Sequence, residues 1–117
     1  MKNIDYIKSL SSLDEIFSYI HRNNIIFTDE ELKELQDYVI RLDQRGKWCV
    51  LLAEKFGDRL DLRKIEDAVI KKDKTGQFSY LLYKVVKGVD KEKMRKSVSE
   101  KDTTGVWLRK FDELDKK

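Results

Sequence analysis

Residues 73–82 read DKTGQFSYLL, and the same phrase recurs on both sides of them. Residues 43–52 read DQRGKWCVLL, and residues 102–111 read DTTGVWLRKF. Each copy places a glycine three residues after an aspartate and an aromatic residue two positions later. The copies begin 30 and 29 residues apart. This recurrence predicts a structural unit that is repeated along the chain.

A second segment follows each aromatic segment in the same register. Its copies read DEELKELQDYVI at 29–40, LDLRKIEDAVI at 60–70 and VDKEKMRKSVS at 89–99. A degenerate first copy of the aromatic phrase, SLDEIFSYI, lies at 12–20. A period of about 30 residues with two helices is typical of helical-repeat arrays, whose units bury their apolar faces by stacking. We therefore predict an all-α, α-solenoid-like stack of about seven to eight short antiparallel helices.

The length and the repeat together predict a single helical-repeat domain over residues 1–117. Its expected units are 12–42, 43–72 and 73–101, with a half unit at 102–114. Helices are expected from about residue 3 and near 12–22, 29–42, 47–56, 61–72, 76–87, 90–100 and 104–114. Polar residues in the last copies, where earlier copies are apolar, lead us to expect a complete array.

The residues at the helix boundaries have the chemistry of turns and caps. Glycine is favoured where the backbone needs a positive φ, and the aspartate of each D-x-x-G phrase is expected to serve the same turn. Thr28 and Ser12, each followed three residues later by glutamate, predict capping boxes. Asp61 and Asp90 are expected to cap the helices that follow them.

Helical periodicity gives an expected core. The stripe of the third aromatic helix contains Phe78, Leu81, Leu82, Val85 and Val86, and leaves out Ser79, Lys84 and Lys87. The aromatic residues Trp48, Phe78 and Trp107 mark one set of packed helices, and Leu35, Ile65 and Met94 mark the other. Cys49 is expected to be buried or half-buried in this core and to behave as a small hydrophobic residue.

Composition and charge limit the function classes. Lys and Arg number 25 and Asp and Glu 22, but residues 1–58 carry a net charge of −3 and residues 59–117 one of +6. Such asymmetry can mark a surface for an acidic partner. No apolar run reaches the roughly 18 residues of a membrane span, so we expect a cytoplasmic protein without a membrane partner. One cysteine and one histidine predict no disulfide, no zinc site and no cofactor.

One run of the sequence resembles a known type of repeat. Residues 69–98, VIKKDKTGQFSYLLYKVVKGVDKEKMRKSV, are similar to the tandem α-helical repeats of bacterial and phage proteins. In those repeats a YIYxFA helix is followed by a VKGxxxxKLExAI helix, and here FSYLLYKVVKGVDKEKM and DLRKIEDAVI carry the match. The resemblance covers about residues 12–114 and implies a helical-repeat fold with a binding function in place of catalysis.

The sequence shows no arrangement typical of an enzyme. His21, the only histidine, has no nucleophile placed near it in sequence, and its position near a helix end suits a contact with the helix dipole. Asp29, Glu30 and Glu31 fall in the first turn of a helix, where carboxylates are favoured without any ligand. We therefore predict no catalytic residues and no metal ligands.

Two sets of residues are candidates for binding. Tyr19, Val50, Tyr80 and Arg109 occupy equivalent positions off the apolar stripe, with Tyr83 beside them, and predict a protein-binding ridge unless they pack between units. The second set is basic and is proposed for nucleic acid: Lys84, Lys87, Lys91, Lys93, Arg95, Lys96, Lys101, Arg109 and Lys110. The basic set binds a phosphate backbone only if its members share one face without the acids between them.

The leading hypothesis is a non-enzymatic protein-protein interaction module, either an adaptor or a phage-type inhibitor that occludes a larger partner. The alternative is a nucleic-acid-binding helical array that uses the basic C-terminal half. The sequence leaves the identity of the partner and the oligomeric state open.

Overall fold

A computed structural model describes residues 3–114, except for the side chain of Asn3. Over this range the chain forms eight α-helices and no strand, which confirms the all-α class. The helices are α1 (Asn3–Ser9), α2 (Leu13–Asn23), α3 (Asp29–Leu42), α4 (Lys47–Phe56), α5 (Leu62–Lys72), α6 (Gln77–Val85), α7 (Lys91–Lys101) and α8 (Val106–Glu113). A 3-10 turn, Gly57–Arg59, follows α4. The eight expected helices are confirmed within about two residues at each end.

The helices form two layers. In one layer α4 packs on α6 and α6 packs on α8, while in the other α1 contacts α3 and α5 contacts α7. The ring of Phe17 lies 5.0 Å from that of Trp48, which joins α2 to the first layer. Consecutive helices from α3 to α8 link the two layers. The result is an elongated body of 47 × 25 × 22 Å.

The core between the layers is apolar and continuous. Its fully buried members come from nearly every helix and include Ile16, Leu35, Leu52, Ile65, Leu82, Met94 and Phe111. Each such side chain contributes about 1.5–3 kcal/mol relative to an exposed one. No single helix could bury these residues alone, so the layers depend on each other for stability.

Two buried polar side chains of the second layer connect successive helices. The amide of Gln36 in α3 bonds to the backbone of Asp61, and the carboxylate of Glu66 in α5 bonds to the backbone of Asp90. Both side chains are almost completely buried. Because Asp61 and Asp90 are the N-caps of α5 and α7, these bonds fix where the next helix of the layer begins.

The expected caps are largely present. Thr28 and Glu31 form a full capping box, and the carboxylates of Asp61 and Asp90 accept backbone N–H bonds at the starts of α5 and α7. Ser12 caps α2, but the prediction of a full capping box is wrong, because the Glu15 carboxylate does not bond to the Ser12 N–H. The carboxylate of Glu15 accepts its bonds from the N–H and hydroxyl groups of Ser11, one residue earlier than expected.

The expected stripe of α6 needs a correction. Ser79 is completely buried and Tyr80 nearly so, whereas Phe78 is only half-buried, as Trp48 and Trp107 are in their helices. The Ser79 hydroxyl donates 2.9 Å to the carboxylate of Asp73 and lies 2.8 Å from the Ser97 hydroxyl of α7. Since α6 packs against four other helices, it is covered on more than the one face that an amphipathic pattern predicts.

Candidate functional site

The three D-x-x-G turns lie on one edge of the body, which we call the turn edge and define as residues 41–48, 71–78 and 101–107. There α3, α5 and α7 end, and α4, α6 and α8 begin. A Cβ atom built on Gly46 would lie 3.6 Å from Val69 and 3.5 Å from Phe78 of the next turn. One built on Gly76 would lie 3.3 Å from Val98. The turns are therefore packed side by side.

The aspartate of each turn is held by backbone N–H groups. One carboxylate oxygen of Asp43 accepts bonds from Arg45 and Gly46, and the other accepts a 2.9 Å bond from Cys49. Asp73 and Asp102 repeat this pattern with the three equivalent N–H groups of their own turns. This confirms that the aspartates serve the turns. In residues 3–114 no cluster of acidic, histidine or cysteine side chains is arranged to hold a metal ion.

Basic side chains dominate the turn edge. Seven lie on it, namely Arg41, Arg45, Lys47, Lys71, Lys72, Lys74 and Lys101, against the three turn aspartates. Five of the seven are exposed, and Lys72 and Lys101 are half-buried. Among the described residues none of the seven forms an ion pair. Because Asp43 and Asp73 are buried, the exposed part of this surface is strongly positive.

The opposite edge has a different electrostatic character. It consists of residues 22–31, 56–63 and 86–93, which contain six basic and seven acidic residues. Several of these pair with a neighbour, as Arg59 does with Asp29 at 3.2 Å and Arg63 with Glu66 at 3.0 Å. The excess positive charge therefore belongs to the turn edge and not to helix ends in general.

Two clefts open side by side on the turn edge. The first, of about 400 Å³, lies between the start of α2 and the turn of Asp43, and Leu42 and Trp48 contribute apolar surface to it. The second, of about 470 Å³, lies between the turns of Asp43 and Asp73. Gln44 and Arg45 line both clefts and so form the ridge between them.

Lys72 and Lys101 each lie close to the turn that precedes their own along the chain. Burial lowers the pKa of Lys101, and the nearby charge of Asp73 acts in the opposite direction. The Lys101 ammonium nitrogen is buried and has no hydrogen-bond partner in the described part of the chain. Lys72 stands in the equivalent place one turn earlier, where its charge acts on Cys49 beside Asp43. Lys101 thus offsets part of the charge of the buried Asp73.

The five residues predicted as a protein-binding ridge do not form an exposed ridge. Val50 is 5% and Tyr80 7% exposed, because they pack between neighbouring helices of the first layer, and the Tyr80 ring lies 5.7 Å from that of Trp107. Tyr83 is half-buried and stacks on Phe111. Tyr19 is half-buried beside Tyr6, and Arg109 alone is fully exposed. Val50 and Tyr80, the two central members, are thus packed between neighbouring helices and not exposed.

The nine basic residues predicted for nucleic acid do not share one face. Lys84, Lys87, Arg109 and Lys110 belong to α6, α8 or the segment after α6, in the first layer. Lys91, Lys93, Arg95, Lys96 and Lys101 belong to α7, in the second layer. Acids lie among them, since Lys93 pairs with Glu66 and Asp67, and Arg95 pairs with Asp112 at 2.8 Å. Of the nine, only Lys101 lies on the turn edge.

The structure also places the other residues that were considered for catalysis or metal binding. His21 is exposed on α2, and Asp29 to Glu31 occupy the first turn of α3 as expected. Cys49 is completely buried, as predicted. Burial raises the pKa of the Cys49 thiol, and the carboxylate of Asp43 raises it further. The thiol is thus held in its protonated form.

The sequence contains a signal for the turn edge that helical periodicity does not reveal, namely basic residues around the turn aspartates. The residues that flank the turn aspartates read RLDQRGK and KKDKTGQ, so basic residues recur at the turns themselves. A net charge counted by halves of the chain does not reveal this, because the turn edge collects residues from three separate turns.

Comparisons of this chain with protein-family models, with curated proteins and with solved structures found no match. None of the described helices has both the length and the apolar character that crossing a membrane requires.

Proposed function

We propose that this chain is a non-enzymatic protein-protein interaction module of the cytoplasm, built as an α-solenoid-like array of helical repeats. The observation that carries the proposal is the pair of adjacent clefts on the turn edge, which share Gln44 and Arg45. Clefts in a row suit an extended segment of a partner, because each cleft can hold a different part of it.

Recurring contacts support the repeat arrangement. The three turn aspartates accept the same three kinds of backbone bond, 30 and 29 residues apart. Gln36 and Glu66, also 30 residues apart, each bind the N-cap residue of the next helix in their layer. A module of this kind acts as an adaptor, or as an inhibitor of bacterial or phage origin that occludes a larger partner.

A nucleic-acid-binding array is the second candidate. The observation in its favour is the excess of unpaired basic side chains on the turn edge, and not the C-terminal basic set that the sequence pointed to. Phosphate binding would follow from the same charges, so both candidates use one surface.

Site-specific photocrosslinking in lysate of the source cell tests the proposal. A benzoylphenylalanine replaces Gln44 on the turn edge or, as a matched control, Asp58 on the opposite edge, since both side chains are exposed. We expect a discrete protein adduct at position 44 that survives nuclease, and none at position 58. A nuclease-sensitive adduct would favour the second candidate. No adduct at position 44, or the same adducts at both positions, would overturn the proposal.

A further inference from the structure

The charge and the polar groups of the turn edge indicate which chemistry a partner must have. We propose that the turn edge binds an extended acidic segment of a partner protein, whose carboxylates contact Arg45 and Lys74. This inference rests on the proposed function and names the chemical class of its partner. Both side chains are exposed and free of ion pairs within the described residues, so their charge is available to a ligand.

The second cleft brings the necessary groups together. Arg45, Lys72 and Lys74 line it from two successive turns, and Gln44 and Gln77 lie among them. An arginine guanidinium binds a carboxylate through two parallel hydrogen bonds, and a lysine adds a point charge. The side-chain amides of Gln44 and Gln77 make no hydrogen bond to the rest of residues 3–114. They can therefore bond to peptide N–H and C=O groups, because an amide both donates and accepts.

The aromatic side chains Trp48 and Phe78 line the two clefts, but each is half-buried by packing against neighbouring groups. Proteins that bind single-stranded nucleic acid stack bases on exposed aromatic faces. Here the Trp48 ring lies 5.0 Å from the ring of Phe17 and 4.9 Å from the ammonium of Lys47. Phe78 is half-buried beside the turn of Gly46. A DNA phosphate backbone would meet the basic groups but has no N–H or O–H donor for the glutamine carbonyls, whereas a peptide has backbone N–H groups. The glutamines therefore favour a protein segment.

The basic groups extend along the body and not only within one cleft. The turn of Asp43 contributes Arg41, Arg45 and Lys47, and the turn of Asp73 contributes Lys71, Lys72 and Lys74. An extended peptide rises about 3.3 Å per residue, so about twelve residues span some 40 Å and reach both turns. A twelve-residue peptide is therefore a suitable probe.

Fluorescence anisotropy measures the binding directly. The probes are a fluorescein-labelled peptide of alternating glutamate and serine, a peptide in which lysine replaces glutamate, and an oligothymidine of equal length. The protein variants are R45E/K74E and, as a matched control with the same net charge, K55E/K87E. Lys55 lies in the last turn of α4 and Lys87 just after α6, both exposed and away from the turn edge. A neutral variant, R45Q/K74Q, separates loss of charge from new repulsion.

We expect the acidic peptide to bind more tightly than the other two probes and to lose affinity as ionic strength rises. R45E/K74E should weaken this binding about tenfold or more, R45Q/K74Q less, and K55E/K87E less than about twofold. The proposal is overturned if the acidic peptide does not bind, if oligothymidine binds more tightly, or if both edges respond equally. If photocrosslinking gives a protein adduct at position 44 but the acidic peptide fails these binding tests, the interaction-module proposal is retained and only the acidic class of partner is excluded. Thermal melts establish that each variant is folded.

Discussion

The carboxylate of Glu66 accepts a hydrogen bond of 2.7 Å from the backbone N–H of Asp90, 24 residues further along the chain. Thirty residues earlier in the sequence, the amide of Gln36 makes the corresponding contact. It accepts a 3.0 Å bond from the Asp61 N–H and donates a 2.9 Å bond to the Asp61 carbonyl. Each bond joins the middle of one helix to the N-cap residue of the next helix in the same layer. These bonds therefore couple the packing of neighbouring helices to the position at which the second helix begins.

Substitutions of Glu66 should show how much its hydrogen bond and ion pairs contribute to the free energy of unfolding. Glu66→Ala removes the acceptor of the part-buried Asp90 N–H and the carboxylate that pairs with Arg63 at 3.0 Å and with Lys93 at 3.2 Å. We expect a loss of about 3 kcal/mol in the free energy of unfolding. Glu66→Gln retains an acceptor, as Gln36 does, and should cost about 1 kcal/mol. Urea unfolding followed by circular dichroism measures both, and equal losses would contradict the assigned role.

The turn glycines offer a matched pair of substitutions. Gly76 has a φ of +89° and Gly105 one of +79°, so alanine at either position adopts a left-handed conformation. At Gly76 the new Cβ also meets the Val98 backbone at 3.3 Å, whereas at Gly105 it meets no atom within 4 Å. We expect Gly105→Ala to cost about 1 kcal/mol and Gly76→Ala about 2–3 kcal/mol. Denaturant midpoints test which variant loses more stability. A larger loss for Gly105→Ala than for Gly76→Ala would contradict the packing of adjacent turns.

The helices and turns of this fold could be predicted because they depend on local chemistry. The D-x-x-G phrases position Asp73 and Gly76 for one turn, and the capping residues Thr28 and Asp61 mark where helices begin. These signals involve residues within one or two helical turns of each other. They do not depend on how the layers pack.

The burial of α6 and the candidate site could not be predicted in the same way. Tyr80 lies off the apolar stripe of α6, and the sequence leaves open whether it is exposed or packed. In the structure, neighbouring helices of the first layer cover it. Ser79 is buried because Asp73 and Ser97 satisfy its hydroxyl, a contact that periodicity does not encode. The turn edge combines residues about 30 positions apart in the sequence, so it appears only when the three turns lie side by side in the fold.

The Cys49 thiol should be unreactive in the folded protein. Burial and the Asp43 carboxylate both raise its pKa, and the thiolate is the reactive form. With Ellman's reagent at about pH 8 we expect no reaction of the native protein within minutes and full reaction in urea. A Thr103→Cys variant supplies an exposed thiol in the same molecule as an internal control. Equally fast labelling of both thiols in the native state would contradict the buried position of Cys49.

The stability contributed by Asp102 should depend on pH. Desolvation raises the pKa of its carboxyl, but hydrogen bonds from the N–H groups of Leu108, Thr104 and Gly105 and from the Thr104 hydroxyl outweigh this effect and lower it. A lowered pKa in the folded state means that the contribution is fully present above about pH 4 and is lost as the pH falls through the folded value. Asp102→Asn should therefore be less stable than the parent at about pH 6, and the difference should shrink in acid. Thermal melts across this range, with the exposed Asp58→Asn as control, measure the effect. A difference that stays constant with pH would show that the carboxylate charge has no part in holding the third turn.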